Sequence, residues 1–227
     1  MKIVVTNDDG YDAAGLAALT ALAGQFGQVT VVAPATPQSY MGHRVTTQAP
    51  IEVRQTGERE YQVSGTPADC ARIALRCLVR DADWLLSGIN HGGNLGVDVY
   101  ISGTVAAARE AALLGYPAMA LSHYKARGRE VDWLTAQRRL TPVIQNVLGR
   151  PPLAGRYWNI NLPHPPDDED NPPMRECGLD RQPLDVVFRR EHSSYIYEGL
   201  YQSRPFRDDT DVAHCFAGHI TVTPLDL

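Results

Sequence analysis

Lysine is almost missing from this sequence: of the 21 basic residues only Lys2 and Lys125 are lysines. The 26 acidic residues outnumber them and leave a net charge of −5. Such a balance argues against non-specific partners of high negative charge, whether a nucleic acid duplex or an anionic membrane. Cysteine is also scarce. Cys70, Cys77, Cys177 and Cys215 show no C-x-x-C spacing, so neither a zinc site nor a redox pair is signalled. Free, mostly buried thiols in a reducing cytoplasm are the expectation. No apolar run approaches the ~18 residues needed to span a bilayer, and no charged-then-apolar leader precedes the first strand. Three signatures are absent as well: G-x-G-x-x-G after strand 1, G-x-x-x-x-G-K-[ST] and G-x-S-x-G. Their absence argues against a dinucleotide-binding Rossmann enzyme, a P-loop NTPase and an α/β-hydrolase.

What is present reads as a soluble α/β protein. The chain has 227 residues, 44% hydrophobic and 21% charged, within the ordinary range for a globular domain. Lys2 to Thr6 is an apolar run without alternation, the pattern of a strand covered on both faces. Ala13 to Ala23 has helical spacing and stops at Gly24 and Gly27, and Val29 to Ala33 is a second buried strand closed by Pro34. This spacing predicts a right-handed crossover and a parallel pair. Extended segments follow from Val45 to Val63 around a turn at Thr56-Gly57, then a helix from Pro67 to about Val79 capped by Thr66. Trp84 to Ser87 and Pro117 to Ser122 read as strands, with a helix from Val105 to Leu114 between them. Val131 to Leu148 reads as a helix interrupted or kinked at Pro142, and Tyr157 to Leu162 as a strand. His164 to Pro173 reads as an exposed, poorly ordered acidic-proline loop. Leu184 to Arg189 and Ser194 to Tyr197 suggest a projecting hairpin. A helix follows from Thr210 to Ala217, capped by Thr210 or Asp209, and a last strand from Ile220 to Thr223 ends at Pro224.

Thr6-Asn7-Asp8-Asp9-Gly10 stands at the end of the first strand. Two adjacent carboxylates raise each other's pKa unless a positive charge lies between them, and no Lys or Arg is close in sequence. A divalent cation with hard oxygen ligands is the simplest solution; the alternative is an Asp-Asp-Gly turn with two solvated side chains. The loop after strand 2 carries Ser39, Gly42 and His43. Loops at the carboxyl ends of adjacent strands line the ligand crevice of an open α/β sheet. The loop from Gly88 to Gly96 holds Asn90 and Asn94 among four glycines, which permit close backbone approach to a ligand. Ser102-Gly103-Thr104 opens a helix, offering N–H groups, hydroxyls and a positive dipole end to a phosphate, though such a turn also caps helices with no ligand. An oxygen-rich cluster beside an anion seat suggests metal-assisted phosphoester hydrolysis.

The ordered set VTNDDG at 5–10, VVAP at 31–34, Ser39 with Gly42-His43, SGTPADC at 64–70, SGINHGGNLG at 87–96, SGTVAAARE at 102–110, NINLP at 159–163 and ITVTPL at 220–225 resembles the SurE family, the stationary-phase survival proteins that act as 5′/3′-nucleotidases. The resemblance spans nearly the whole chain. It implies one Rossmann-like domain over 1–227, a mostly parallel sheet flanked by helices. The core would be about 1–163 and 210–227, with a C-terminal β-hairpin and helix arm, about 174–209, used in oligomerisation. It implies one divalent cation per subunit, Mg²⁺ or Mn²⁺ (Ca²⁺ as a stand-in in a crystal), held by Asp8, Asp9, Ser39 and Asn90. Asn94, Ser102, Gly103 and Thr104 would hold the phosphate of a nucleoside monophosphate. Homodimers, in some members tetramers, are the expected assembly, and the cytoplasm the expected compartment.

On this reading Asp8 and Asp9 are the catalytic carboxylates. Asp8 either aligns an attacking water or itself attacks phosphorus, two routes that the sequence leaves open. His43 is a candidate acid for the leaving group. Tyr40-Met41 depart from the small residues that usually follow Ser39 in the family. Arg190-Glu191-His192-Ser193-Ser194-Tyr195-Ile196-Tyr197 departs from its usual arm pattern. A binding module without turnover and a sugar-nucleotide transferase are the competing functions.

Overall fold

Ile3 and Val5 point to one face of the central sheet and Val4 to the other, and both faces are covered. Alternate side chains of a strand go to opposite faces, so an unbroken apolar run such as this one can only be a central strand. The computed structural model describes residues 1–126, 128–164 and 172–227. In chain order the strands are β1 Lys2–Thr6, β2 Gln28–Pro34, β3 Val53–Gly57, β4 Glu60–Val63, β5 Trp84–His91, β6 Ala118–His123, β7 Arg156–Leu162, β8 Met174–Glu176, β9 Phe188–Glu191, β10 Ser194–Tyr197 and β11 Ile220–Asp226. The α-helices are α1 Ala14–Ala23, α2 Pro67–Ile73, α3 Gly103–Leu113, α4 Trp133–Leu148 and α5 Asp211–Phe216.

Nine strands form one sheet in the order β3-β4-β2-β1-β5-β6-β7-β11-β8. The run from β4 through β7 is parallel, and β7–β11 and β3–β4 are antiparallel. One face packs Leu16, Leu19 and Leu22 of α1 and Leu140, Val143, Ile144 and Val147 of α4 against Ile3, Val5, Leu86 and Met119. The other packs α2 and the alanines of α3 against Val4, Val32 and Leu85. Each such aliphatic side chain contributes roughly 1.5–3 kcal/mol on burial. Close packing is enforced at Gly15 of α1, where an added Cβ would lie 2.0 Å from the carbonyl oxygen of Ile89.

The mostly parallel α/β sheet expected from the sequence is present, with local differences. The β3–β4 hairpin turns at Glu58-Arg59, and residues 45–52 are not strand; there Asp69 accepts hydrogen bonds from the backbone N–H and hydroxyl of Thr46 at 2.8 Å each. Helix α4 continues through Pro142. Its buried stripe outweighs the ~3 kcal/mol that an internal proline costs. Strand β5 extends four residues past Ser87, to His91. Strand β11 runs on through Pro224. β8 stops opposite Val222, so Pro224 has a neighbouring strand on one side only, where a missing N–H is tolerated. The N-cap Thr210 of α5 makes no capping bond to the helix; its hydroxyl goes to the Arg207 carbonyl at 2.7 Å. The short, exposed β8 has no sequence signal. Of the loop read at 164–173, residues 165–171 lie outside the described residues.

β9 and β10 pair only with each other, outside the main sheet. Phe188, Tyr195 and Tyr197 are all more than half exposed on this hairpin. Behind it, Arg204 returns to the body of the protein and forms a bidentate, mostly buried pair with Asp98, at 2.6 and 2.8 Å.

Candidate active site

The carboxyl ends of β1, β2 and β5 converge on a cavity of about 860 Å³. Asp8, Asp9, Ser39, Asn90, Asn94 and Ser102 all line it, and together they form its polar pole. Asp8 and Asp9 follow β1 directly. The Ser39 loop is tied to them by a hydrogen bond from the Gln38 N–H to the Asp8 carbonyl at 2.7 Å. Between Ser87 and Asn90 the pairing of β5 with β6 shifts register; irregularities of this kind re-aim side chains beside sites.

Asp8 is buried, and burial pushes its carboxyl up to about 6. A hydrogen bond from Thr104 pulls the other way, and the neighbouring Asp9 carboxylate adds to the rise. The Thr104 hydroxyl donates to Asp8 Oδ1 at 2.5 Å. Gly103 is packed so tightly behind Asp8 that a Cβ there would lie 2.8 Å from Asp8 Cβ and 3.0 Å from Oδ2. Asp9 Oδ2 accepts the backbone N–H of His91 at 3.1 Å. Two cationic side chains line the cavity, Lys125 and Arg204. Arg204 is taken by Asp98, and Lys125 faces Glu130 and His91 at 3.4 Å each. Neither neutralises the Asp8–Asp9 pair.

The donor set suits a hard divalent cation. Asn90 turns its amide Nδ2 to the Gly92 carbonyl at 2.8 Å, which leaves Oδ1 as a neutral oxygen donor. The Ser39 hydroxyl makes no hydrogen bond among the described residues. Nowhere among those residues do three His, Cys, Asp or Glu side chains cluster as for a metal; Asp8, Asp9, Ser39 and Asn90 are instead two carboxylates with two neutral oxygens.

The residues read as a phosphate seat divide. Ser102 lines the cavity and caps α3, accepting the Val105 N–H at 3.1 Å. Gly103 and Thr104 sit behind Asp8, and neither is among the lining residues. Asn94 lines the cavity while its amide donates to Ser122 Oγ and its N–H to Asn161 Oδ1, both at 2.8 Å. Its carbonyl receives Asn159 and Asn161 at 2.8 and 3.1 Å. Those two buried asparagines of β7 fix the loop. In the sequence they appear only within the motif NINLP at 159–163, which gives no hint of this role. His43 does not line the cavity. Its Nε2 lies 2.7 Å from the buried Glu110 carboxylate, which Arg72 also holds at 2.6 Å, and Arg109 approaches its other ring nitrogen at 3.3 Å.

Aromatic and aliphatic side chains share the cavity with charged ones such as Asp98, Asp185 and Glu198. Tyr40, Tyr124, Tyr197, Leu200 and Tyr201 line it. Tyr201 stacks on Tyr124 with ring centroids 6.0 Å apart and donates its hydroxyl to Asp98 at 3.0 Å. Leu184 and Tyr197 belong to the hairpin read from the sequence, whereas Tyr201 and Arg204 carry no signal there, because a lone Tyr or Arg in an irregular stretch has no period.

The family model described as survival protein SurE matches residues 3–181. The chain belongs to the SurE family. Among its relatives, a putative 5′-nucleotidase of Nostoc sp. (strain PCC 7120) is 44% identical over 226 residues, 99% of each chain. The 5′-nucleotidase SurE of Neisseria gonorrhoeae is 38% identical over 234 residues, covering 100% of this chain and 93% of that one. The crystal structure of the SurE protein from Aquifex aeolicus superposes with a TM-score of 0.85 at 28% identity, over 100% of this chain and 93% of that one. The SurE match covers β1, β5 and α3, the elements that carry most of the polar pole.

Proposed function

We propose that this chain is a nucleotidase that hydrolyses nucleoside 5′- and 3′-monophosphates to nucleoside and phosphate with the help of one divalent cation, Mg²⁺ or Mn²⁺. The nucleotidase reading draws on the names of its SurE relatives. The observation that carries it here is one cavity lined both by the oxygen-rich group Asp8, Asp9, Ser39 and Asn90 and by several tyrosines, surfaces that suit the phosphate and the base of a nucleotide. Asp8, Asp9, Ser39 and Asn90 would hold the cation. When bound it polarises a phosphate oxygen and acidifies a water.

The chain's own residues supply the rest. Thr104 and Gly103 hold Asp8 in one orientation, and Asp8 aligns the attacking water. Ser102 and the N-terminus of α3 offer a positive dipole end to the phosphate. The Asn94 loop, locked by Asn159, Asn161 and Ser122, keeps its backbone in place as charge builds on the phosphoryl oxygens. The arm's exposed Phe188, Tyr195 and Tyr197 favour contact with a second copy of the chain, hence a homodimer. Its four cysteines are all free, which favours the cytoplasm, and no helix among the described residues is long and apolar enough to cross a membrane.

The test is phosphate release from 5′-AMP and 3′-AMP by metal-stripped protein, with and without added Mn²⁺ or Mg²⁺. Release from both esters that requires the metal supports the reading. Folded protein that releases phosphate from neither ester under either metal contradicts it.

A further inference from the structure

Tyr40 is at odds with its own fold. Its backbone φ is +60°, a left-handed conformation that strains any side chain and favours glycine. The residue is 87% exposed. Among the described residues it makes no ring contact and no hydrogen bond, so nothing inside the protein accounts for an aromatic residue there. Yet it lines the cavity next to Ser39.

The loop that carries it is firmly held. The Gln38 N–H donates to the Asp8 carbonyl at 2.7 Å and the Gly42 N–H to the Ile101 carbonyl at 3.2 Å. His43 is fixed on Glu110 at 2.7 Å, and Thr46 on Asp69 at 2.8 Å. Tethers on both sides of Tyr40 set its position relative to the polar pole. A strained, exposed aromatic residue on a rigid loop is a preorganised surface, and strain of this kind collects at ligand sites.

We propose that Tyr40 is a specificity-determining residue: its ring stacks on the nucleobase of the substrate and selects nucleoside monophosphates over phosphomonoesters that lack a base. Resting on the nucleotidase reading, this assigns to that cavity a base contact made by the chain's own Ser39 loop. Every base presents a π-face, so a single tyrosine gives preference for a base without discriminating strongly among bases.

The experiment compares 5′-AMP with ribose 5-phosphate, which keeps the phosphate and sugar and drops the base. Both are measured in the parent, Tyr40→Gly and Tyr40→Phe, by calorimetric binding to metal-stripped protein, where no hydrolysis competes, and by kcat/KM with Mn²⁺ added. Glycine suits the backbone at this position, and a melting curve checks the fold. Stacking on an aromatic side chain sets the expected effect: the preference for 5′-AMP over ribose 5-phosphate falls roughly 5–100-fold in Tyr40→Gly and is retained in Tyr40→Phe. A preference unchanged in Tyr40→Gly, or lost equally in Tyr40→Phe, overturns the proposal. Because binding reports the preference without turnover, failure of the hydrolase reading is seen separately, as absence of phosphate release from both compounds.

Discussion

The Thr104 hydroxyl donates a 2.5 Å hydrogen bond to Asp8 Oδ1 across 96 residues of sequence. It joins the first turn of α3 to the end of β1. A helix opening that reads in the sequence as a phosphate seat thus supports a carboxylate from behind. Thr104 is fully buried, so valine can take its place with little change of volume while removing the donor. Outer-shell partners of this kind are worth about 10–100-fold in metal affinity. Thr104→Val is expected to bind Mn²⁺ more weakly by that factor and, metal-free at pH 7, to lose about 1–3 kcal/mol of stability as the buried Asp8 carboxylate loses its donor, as read by metal titration and calorimetry.

Asp8 also stores instability. Its folded carboxyl is raised from 3.8 to about 6 by burial, so the native state holds this proton more tightly than the unfolded chain does. The ionised form is therefore costly above pH 6, and the cost disappears below pH 4, where the group is protonated in both states. In metal-free protein Asp8→Asn is expected to be more stable than the parent at pH 7, by up to about 3 kcal/mol. The gain shrinks to nothing as pH falls towards 4. Urea denaturation in EDTA at both pH values measures it; the variant's activity is lost, the trade expected where a site is strained for function.

The arm is anchored by Arg204 on Asp98, whose side chains are 9% and 12% exposed. Removing one partner of such a pair leaves a poorly solvated charge and costs about 3 kcal/mol. Arg204→Ala is expected to lower stability by that amount and to speed proteolysis between residues 184 and 203. Arg204→Lys keeps the charge but loses the two-pronged contact, and falls between the two. Equal proteolysis of the alanine variant and the parent would show that the arm is held elsewhere.

Much of the fold was legible because each central strand is a short apolar run whose residues serve both faces, as Ile3, Val4 and Val5 do. The polar pole was legible for a related reason: Asp8-Asp9, Ser39 and Asn90 are unusual chemistry at strand ends, where an open sheet gathers its ligands. Other contributions were hidden. Asn159 and Asn161 lie within a strand whose apolar neighbours gave the signal, and their amides act on a loop some 65 residues away in sequence. Arg204 and Tyr201 come from a stretch with no period, so only the folded chain brings them to Asp98. Pro224 read as a stop because sequence does not reveal which side of a strand is open.

The claim that bears most weight is that Asp8, Asp9, Ser39 and Asn90 hold one divalent cation. The direct measurement is equilibrium binding of Mn²⁺ to metal-stripped protein, followed by electron paramagnetic resonance, in the parent, Asp8→Asn and Asp9→Asn. The account predicts one ion per chain in the parent and a loss of affinity of at least roughly tenfold in each variant. Undiminished binding in both variants, or no ion bound by folded parent protein, would contradict it.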